Sequence, residues 1–479
     1  MNQSRNYIDG QWLDGESSLE NINPSDTRDI IGHYAQASVD QVNQAIDCAR
    51  RAQLEWSKSG LEQRYSALMS IGTALMERST ELGELLSREE GKTLPEGKGE
   101  VYRAGQFFTY YAAEVLRQMG DLTDSTRPGV EVLVSREPVG VVGIITPWNF
   151  PTALPSWKLA PAIAYGNGVV WKPANLTPAS AVALMQIVDQ SELPKGLVNM
   201  VLGAGSVVGE AIVGSSEVDA ITFTGSLNTG RRIAQAAAVN LTKLQMEMGS
   251  KNPLVVTDRG DLDIAVSSAI NGSFFSMGQK CTASSRLIVT KGVHDQFVER
   301  MQQAMADLII GHALDPKSQI GPAVDEGQLN QNLSYLESGK QEGAELVCGG
   351  QRLERDTPGY YMQPALFING SNAMRLNREE VFGPVTCVIK ADDYDHALAL
   401  ANETEFGLTS SIITDSLAEA THFRKNAKTG CVMVNLPTSG TDYHVPFGGR
   451  KNSSFGSREQ GQYAAEFYTQ VKTTYIKAD

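Results

Sequence analysis

The chain has 479 residues, enough for two large domains or about three of ordinary size. Charged residues make up 20 % and hydrophobic ones 41 %, the balance of a globular protein with a sizeable core, which excludes a disordered chain. Lys and Arg number 41 against 55 Asp and Glu, a net charge of −14 that speaks against nucleic acid, whose phosphates need a basic footprint.

No apolar run approaches the ~18–20 residues that cross a bilayer, so no membrane partner is expected. The opening residues Met1–Tyr7 pass straight into polar sequence without a signal core. The cysteines (Cys48, Cys281, Cys348, Cys387 and Cys431) are odd in number, far apart and never in a CxxC pair. Neither a disulfide framework nor a metal site is expected, and a reducing cytoplasm is the expected compartment.

In chain order, the first ~120 residues read mostly as helix. Ser38 can cap a helix in which Val42, Ala45, Ile46 and Ala49 recur at helical spacing, and Val101–Met119 is long enough for another. Gly129–Glu137 alternates between Pro128 and Pro138, the pattern of an exposed strand or hairpin arm. From Val141 to Met246, β-branched runs alternate with helical ones. The strands are predicted over Val141–Ile145, Gly168–Trp171, Leu197–Val201, Ala220–Phe223 and Leu241–Gln245. Helices are predicted from near Thr152, Thr177, Ser206 and Ser226. Such alternation implies a parallel sheet covered on both faces, with ligands at the carboxyl ends of its strands. A second α/β stretch runs from about Asn252 to Gly430, and the tail offers another strand over about Thr469–Ile476.

Several residues at these strand ends can carry chemistry, and each also has a plainer reading. Gly203-Ala204-Gly205-Ser206-Val207-Val208-Gly209 is one residue too long for the dinucleotide fingerprint, and glycines there also serve ordinary turns. Phe223-Thr224-Gly225-Ser226 is a better phosphate candidate, although Ser226 can equally be a plain helix cap. Asn149, after the first strand, can donate to an oxyanion or form an Asx turn before Pro151. Glu247, after the fifth, is a candidate general base or an exposed turn carboxylate. Cys281 follows Lys280 in a loop, where a cation can lower a thiol pKa; burial as an inert core thiol is the alternative.

Taken in order, Asn149, Lys172, Gly225-Ser226, Glu247, Cys281 and Glu380-Val381-Phe382-Gly383-Pro384 resemble the signature of the aldehyde dehydrogenase superfamily. The resemblance runs from Tyr7-Ile8-Asp9-Gly10-Gln11-Trp12 to Pro446-Phe447-Gly448-Gly449-Arg450-Lys451-Asn452-Ser453. The segments Met246–Pro253 and Gly278–Arg286 depart from the commonest contexts of that superfamily. They look most like those of its bacterial α-ketoglutaric semialdehyde (2,5-dioxopentanoate) dehydrogenases.

The resemblance implies an α/β fold of three parts. These are a Rossmann-type cofactor domain (1–120 and 140–249), a catalytic domain (250–450) and a β oligomerisation arm (121–139 and 451–479). It implies a small-molecule aldehyde as substrate and a homodimer or homotetramer. It also implies a Cys281 thiohemiacetal whose oxyanion is held by Asn149 and the Cys281 N–H, then a thioester hydrolysed by water that Glu247 activates. NAD or NADP would contact Thr146, Trp148, Lys172, Ala174, Asn175, Gly205, Gly209, Thr224, Gly225, Ser226, Met248, Glu380 and Phe382. Many NAD-preferring relatives carry glutamate where this chain has Asn175. The neutral side chain removes a repulsion against a 2′-phosphate, so NADP should also be accepted. For the substrate, Phe150, Leu154, Trp157 and Thr282 are candidate tunnel residues. Arg103 and Lys280 are candidate cations for a far carboxylate, and the plainer reading of Arg103 is a solvated helix face. The implied alternatives are succinate semialdehyde, an aromatic aldehyde of the vanillin type, or a betaine-type aldehyde. A CoA-acylating relative would lack the carboxylate at Glu247, and a cysteine hydrolase would need no nicotinamide.

Overall fold

The computed structural model describes residues 3–117 and 120–477. Residues 141–247 form the expected alternation. Strands Val141–Ile145, Gly168–Lys172, Val198–Met200, Ala220–Thr224 and Lys243–Glu247 are parallel neighbours. The first four are buried at every position, because helices such as Ala153–Ala164 and Pro178–Asp189 shield the sheet. Antiparallel strands Asn6–Ile8, Gln11–Leu13 and Ser454–Phe455 extend this sheet to eight.

The strand order matters for function. Chain order runs outward from Val141–Ile145 on one side and from Ala220–Thr224 on the other. The connections after these two adjacent strands therefore diverge and leave a crevice at their carboxyl ends. Asn149 follows the first and Gly225-Ser226 follows the second.

A seven-stranded sheet carries the second half, with Asn252–Val256 between Ser284–Thr290 and Thr409–Ile413 at its centre. All its pairings are parallel except that of Glu345–Cys348 with Ala365–Ile368. The arm is a separate antiparallel sheet in which Val130–Pro138 lies between Gly120–Asp124 and Thr469–Lys477.

The structure departs from the sequence reading in five places. Residues 3–36 hold five short strands before the first helix, not helix. They are short, and Ser17–Ile22 is exposed along most of its length, so no apolar alternation marks them. The aromatic helix is Leu94–Glu114; it starts at the Thr93 capping box, and the predicted end at Met119 lies outside the described residues. The fifth strand is Lys243–Glu247, two residues later than predicted, which makes Glu247 its last residue. The helix expected from Ser206 begins as a π-turn, Gly205–Gly209, and continues into Glu210–Gly214. Of the described residues of the tail assigned to the arm, only Thr469–Lys477 joins it; Ser454–Phe455 pairs with Lys243–Glu247 instead. The Ser38 cap stands as read, with Val42, Ala45, Ile46 and Ala49 buried. Among the described residues no helix is long and apolar enough to cross a membrane.

Candidate active site

The crevice between the two sheets is a cleft of about 580 Å³. Asn149, Thr224, Gly225, Ser226, Cys281 and Glu380 all line it, from four separate segments of the chain. Cys281 is reached through a turn in which Ser276, Met277 and Gly278 all have positive φ (54°, 56° and 65°). That left-handed run costs backbone energy at Ser276 and Met277 and reverses the chain ahead of the sulfur. Asn252 then fixes the nucleophile loop, its side-chain amide donating to the carbonyls of Cys281 (2.8 Å) and Ala283 (2.9 Å). The Asn149 amide donates to the carbonyl of Gln279 at 3.0 Å, so the oxyanion candidate is tied to the loop that bears the thiol.

Glu247 sits deeper. One oxygen accepts from the Ser454 hydroxyl at 2.6 Å. Gly448, at φ 150°, has no Cβ to meet the other oxygen, which would stand 2.8 Å from one. Behind it lies a buried ion pair between Lys158 and Glu459, with Lys158 also donating to Thr222 at 2.8 Å. Burial, followed by the charge of Glu459, holds the Glu247 carboxyl well above the ordinary range. Burial also raises the Cys281 thiol, with Glu380 and then Glu247 adding to it and its own N–H opposing.

The expectation that Lys280 lowers the Cys281 pKa does not hold. Its ammonium is turned to the carbonyl of Asn271 at 2.9 Å, because a buried cation needs an acceptor. Burial lowers its own pKa to about 8.

The cleft's donor set suits a nucleotide. Ser226 caps Leu227–Ala237 by accepting from the Thr229 N–H at 3.3 Å, so the capping reading of Ser226 is realised and the helix N-terminus faces the cleft. Thr224 Oγ1 is buried without a hydrogen-bond partner. Among the described residues Lys172 donates only to the neighbouring Pro173 carbonyl, at 2.9 Å, and burial lowers it to about 8. It packs by Gly209, where a Cβ would lie 4.0 Å from its stem. Glu380 accepts from the Ser250 N–H at 2.9 Å. Its Oε2 stands 2.4 Å from where a Cβ on Gly249 would be, so a side chain there would push the Glu380 carboxylate from its place. Burial raises Glu380 to about 7. Trp148 meets Phe382 edge-to-face at 5.4 Å, and both line the cleft with Met248. Asn175 lies within 3.5 Å of Gln36. Thr146 accepts from the Trp171 indole at 3.0 Å and does not line the cleft; neither do Lys172, Ala174, Asn175, Gly205 and Gly209.

Of the candidate substrate residues, Leu154 alone lines the cleft. Phe150 packs under Lys92, and Trp157 packs between Phe107 (5.7 Å) and Phe447 (5.4 Å). The Thr282 carbonyl accepts from Thr438. Arg103 is not a free solvated side chain: its guanidinium lies 5.4 Å from the Tyr443 ring centre, and Tyr443 in turn contacts Phe107. Sequence reasoning missed Lys92, Lys158, Ser454 and Glu459. Lys92 and Glu459 lie in connecting segments and Lys158 on the helix Ala153–Ala164, and nothing in the adjacent letters signals that they are buried.

Residues 12–474 match the profile of the aldehyde dehydrogenase family. The chain is 42 % identical to the α-ketoglutaric semialdehyde dehydrogenase of Bacillus subtilis (strain 168) over 100 % of its own length and 99 % of that protein's. It is 39 % identical to the α-ketoglutarate semialdehyde dehydrogenase of Haloferax volcanii, over 98 % of each chain. A crystal structure of betaine aldehyde dehydrogenase from Staphylococcus aureus in complex with NAD+ superposes with a TM-score of 0.97 at 33 % identity, covering 99 % of this chain and 95 % of that one. Sequence and fold agree over the whole length: the chain belongs to the aldehyde dehydrogenase family, the NAD-dependent oxidoreductases that act on aldehydes.

Proposed function

We propose that this enzyme oxidises α-ketoglutaric semialdehyde to 2-oxoglutarate, with Cys281 as nucleophile, Asn149 as oxyanion donor and Glu247 as general base. The observation that carries the substrate is the full-length 42 % identity to an α-ketoglutaric semialdehyde dehydrogenase. In this reading the Cys281 thiolate adds to the aldehyde carbon. The oxygen that becomes negative is met by the Asn149 amide and the Cys281 N–H; one such donor is worth about 10²–10³ in rate. The nicotinamide, when bound, supplies the hydride acceptor. Glu247 then takes a proton from the water that opens the Cys281 thioester, and the Ser454 hydroxyl orients that carboxylate.

Lys172, Thr224, Gly225, Ser226 and Glu380 are the residues proposed to hold the dinucleotide. The neutral Asn175 supports use of NADP beside NAD. Arg103 is the proposed partner of the substrate's far carboxylate. A cytoplasmic homodimer or homotetramer completes the proposal, supported by the unpaired cysteines and the apolar arm.

A steady-state panel of α-ketoglutaric semialdehyde, succinate semialdehyde, vanillin and betaine aldehyde with each cofactor tests the assignment. The first should have the highest kcat/KM, and discrimination against NADP should stay below about a hundredfold, or 2.7 kcal/mol. Arg103→Leu should raise KM for the acidic aldehydes and leave betaine aldehyde unchanged. A higher kcat/KM for betaine aldehyde, or an equal effect of Arg103→Leu on all four, overturns the substrate reading.

A further inference from the structure

Behind Asn149 the protein buries charges that the reaction as proposed leaves without a role. Lys92 is 2 % exposed. Its ammonium donates to Glu100 at 2.7 Å and to the backbone carbonyl of Asn149 at 2.6 Å, and lies 3.9 Å from the centre of the Phe150 ring. Glu90 is 3.8 Å away on the other side. The second oxygen of Glu100 accepts from the N–H groups of Thr152 (2.9 Å) and Ala153 (3.1 Å). The Lys92–Glu100 pair therefore grips the turn 149–153 at both its ends.

The same segment reaches the nucleophile. Glu96, between the two, accepts from the Ser276 hydroxyl at 2.7 Å, on the left-handed turn that leads to Cys281. A pin between two elements needs no charge, and apolar side chains would fill this space without the desolvation cost of an ammonium. What the ammonium adds is direction. It fixes the Asn149 carbonyl while Gln279 engages one side-chain N–H, and the second N–H has no acceptor among the described residues.

We propose that Lys92 is the positioning residue of the oxyanion site, holding Asn149 so that its free N–H meets the substrate oxygen. The proposal rests on reading Asn149 as the oxyanion donor.

A double-mutant cycle tests it. Lys92→Met/Glu100→Gln removes the hydrogen-bonded pair together, so that neither of the two is stranded by loss of the other, and leaves Glu90 the Lys92 backbone N–H as its donor at 3.0 Å. It should lower kcat/KM for aldehyde by about 10- to 100-fold, the scale of a misplacement near 1 Å. Cofactor affinity, read by NADH fluorescence, and the molar yield of Cys281 alkylation should not change. Combined with Asn149→Ala, the same pair of substitutions should cost less than about threefold, because its effect passes through the amide already removed. A factor that multiplies in full in that background overturns the proposal. Asn149→Ala turning over at the parent rate overturns instead the reading beneath it. Lys92→Arg, which keeps a donor for the carbonyl, should stay within about threefold of the parent. If the double variant does not fold, Lys92→Arg decides the matter: a large loss that multiplies with Asn149→Ala overturns the proposal, and a rate held near the parent's supports it.

Discussion

The thiol of Cys281 works against its surroundings. Burial raises its pKa first, Glu380 and Glu247 raise it further, and Lys280 is turned away toward Asn271. Since negative neighbours disfavour the thiolate, alkylation of Cys281 by iodoacetamide should still be rising above pH 9. Glu247→Gln removes one negative charge and should move the titration to lower pH. A parent profile that levels off below pH 8, measured by mass spectrometry at Cys281, contradicts this assignment of charges. At this scale the sequence was readable where type and position coincide. A cysteine in a loop and a carboxylate and an amide at strand ends are unusual letters in telling places. Lys92, Lys158 and Glu459 gave no such sign, because a lysine or glutamate in a connection or on a helix looks the same whether it meets water or, as here, another buried charge.

Among the elements, the turn before Cys281 carries the most strain. Ser276 and Met277 are left-handed without being glycine, at about 1–2 kcal/mol each. Gly278 is left-handed as well, and a Cβ there would stand 2.4 Å from the carbonyl oxygen of Gly383. Gly278→Ala should therefore shift the loop, and a displacement near 1 Å would cost about a hundredfold in kcat. Met277→Gly relieves that strain but empties a core position, since Met277 is 1 % exposed, and should lower resistance to urea, the cavity costing about 2–5 kcal/mol. Parent-like kcat for Gly278→Ala would show that the turn does not set the sulfur's place. The first four parallel strands of the first sheet were legible because burial on both faces favours apolar letters along them. The strands before residue 37 were not: Asn6–Ile8 is buried but only three residues long, and Ser17–Ile22 is exposed along most of its length, so neither writes an apolar alternation. The two-residue shift of the fifth strand has the same origin: Lys243 and Leu244 are only half-buried, so the sequence gives its start no sharp edge.

At the scale of the whole molecule, the arm is a sheet of its own that buries Val132 but leaves several apolar side chains uncovered. Register places Leu122 opposite Leu133, and Leu133 opposite Thr474, with Ile476 two positions along the same face. Leu122 is 74 % exposed, Leu133 42 % and Ile476 47 %. Three apolar side chains on one face of an open sheet invite a second surface, and in a chain whose net charge is −14 that face is the part least repelled by another copy. The alternation over Gly129–Glu137 made the arm visible in sequence. It did not reveal that residues 451–468 leave it, because the pairing of Ser454–Phe455 with the strand ending at Glu247 is a long-range contact that no local pattern encodes. That pairing also delivers Ser454 to the Glu247 carboxylate, so the tail serves the active site before it reaches the arm. Leu122→Lys/Leu133→Lys should accordingly reduce the mass seen by light scattering to a smaller species, while a freshly diluted sample keeps its Glu247–Ser454 contact and its cofactor binding. A parent protein that scatters as a single chain of 51.8 kDa, or a variant with the parent's mass, removes the arm as the assembly surface.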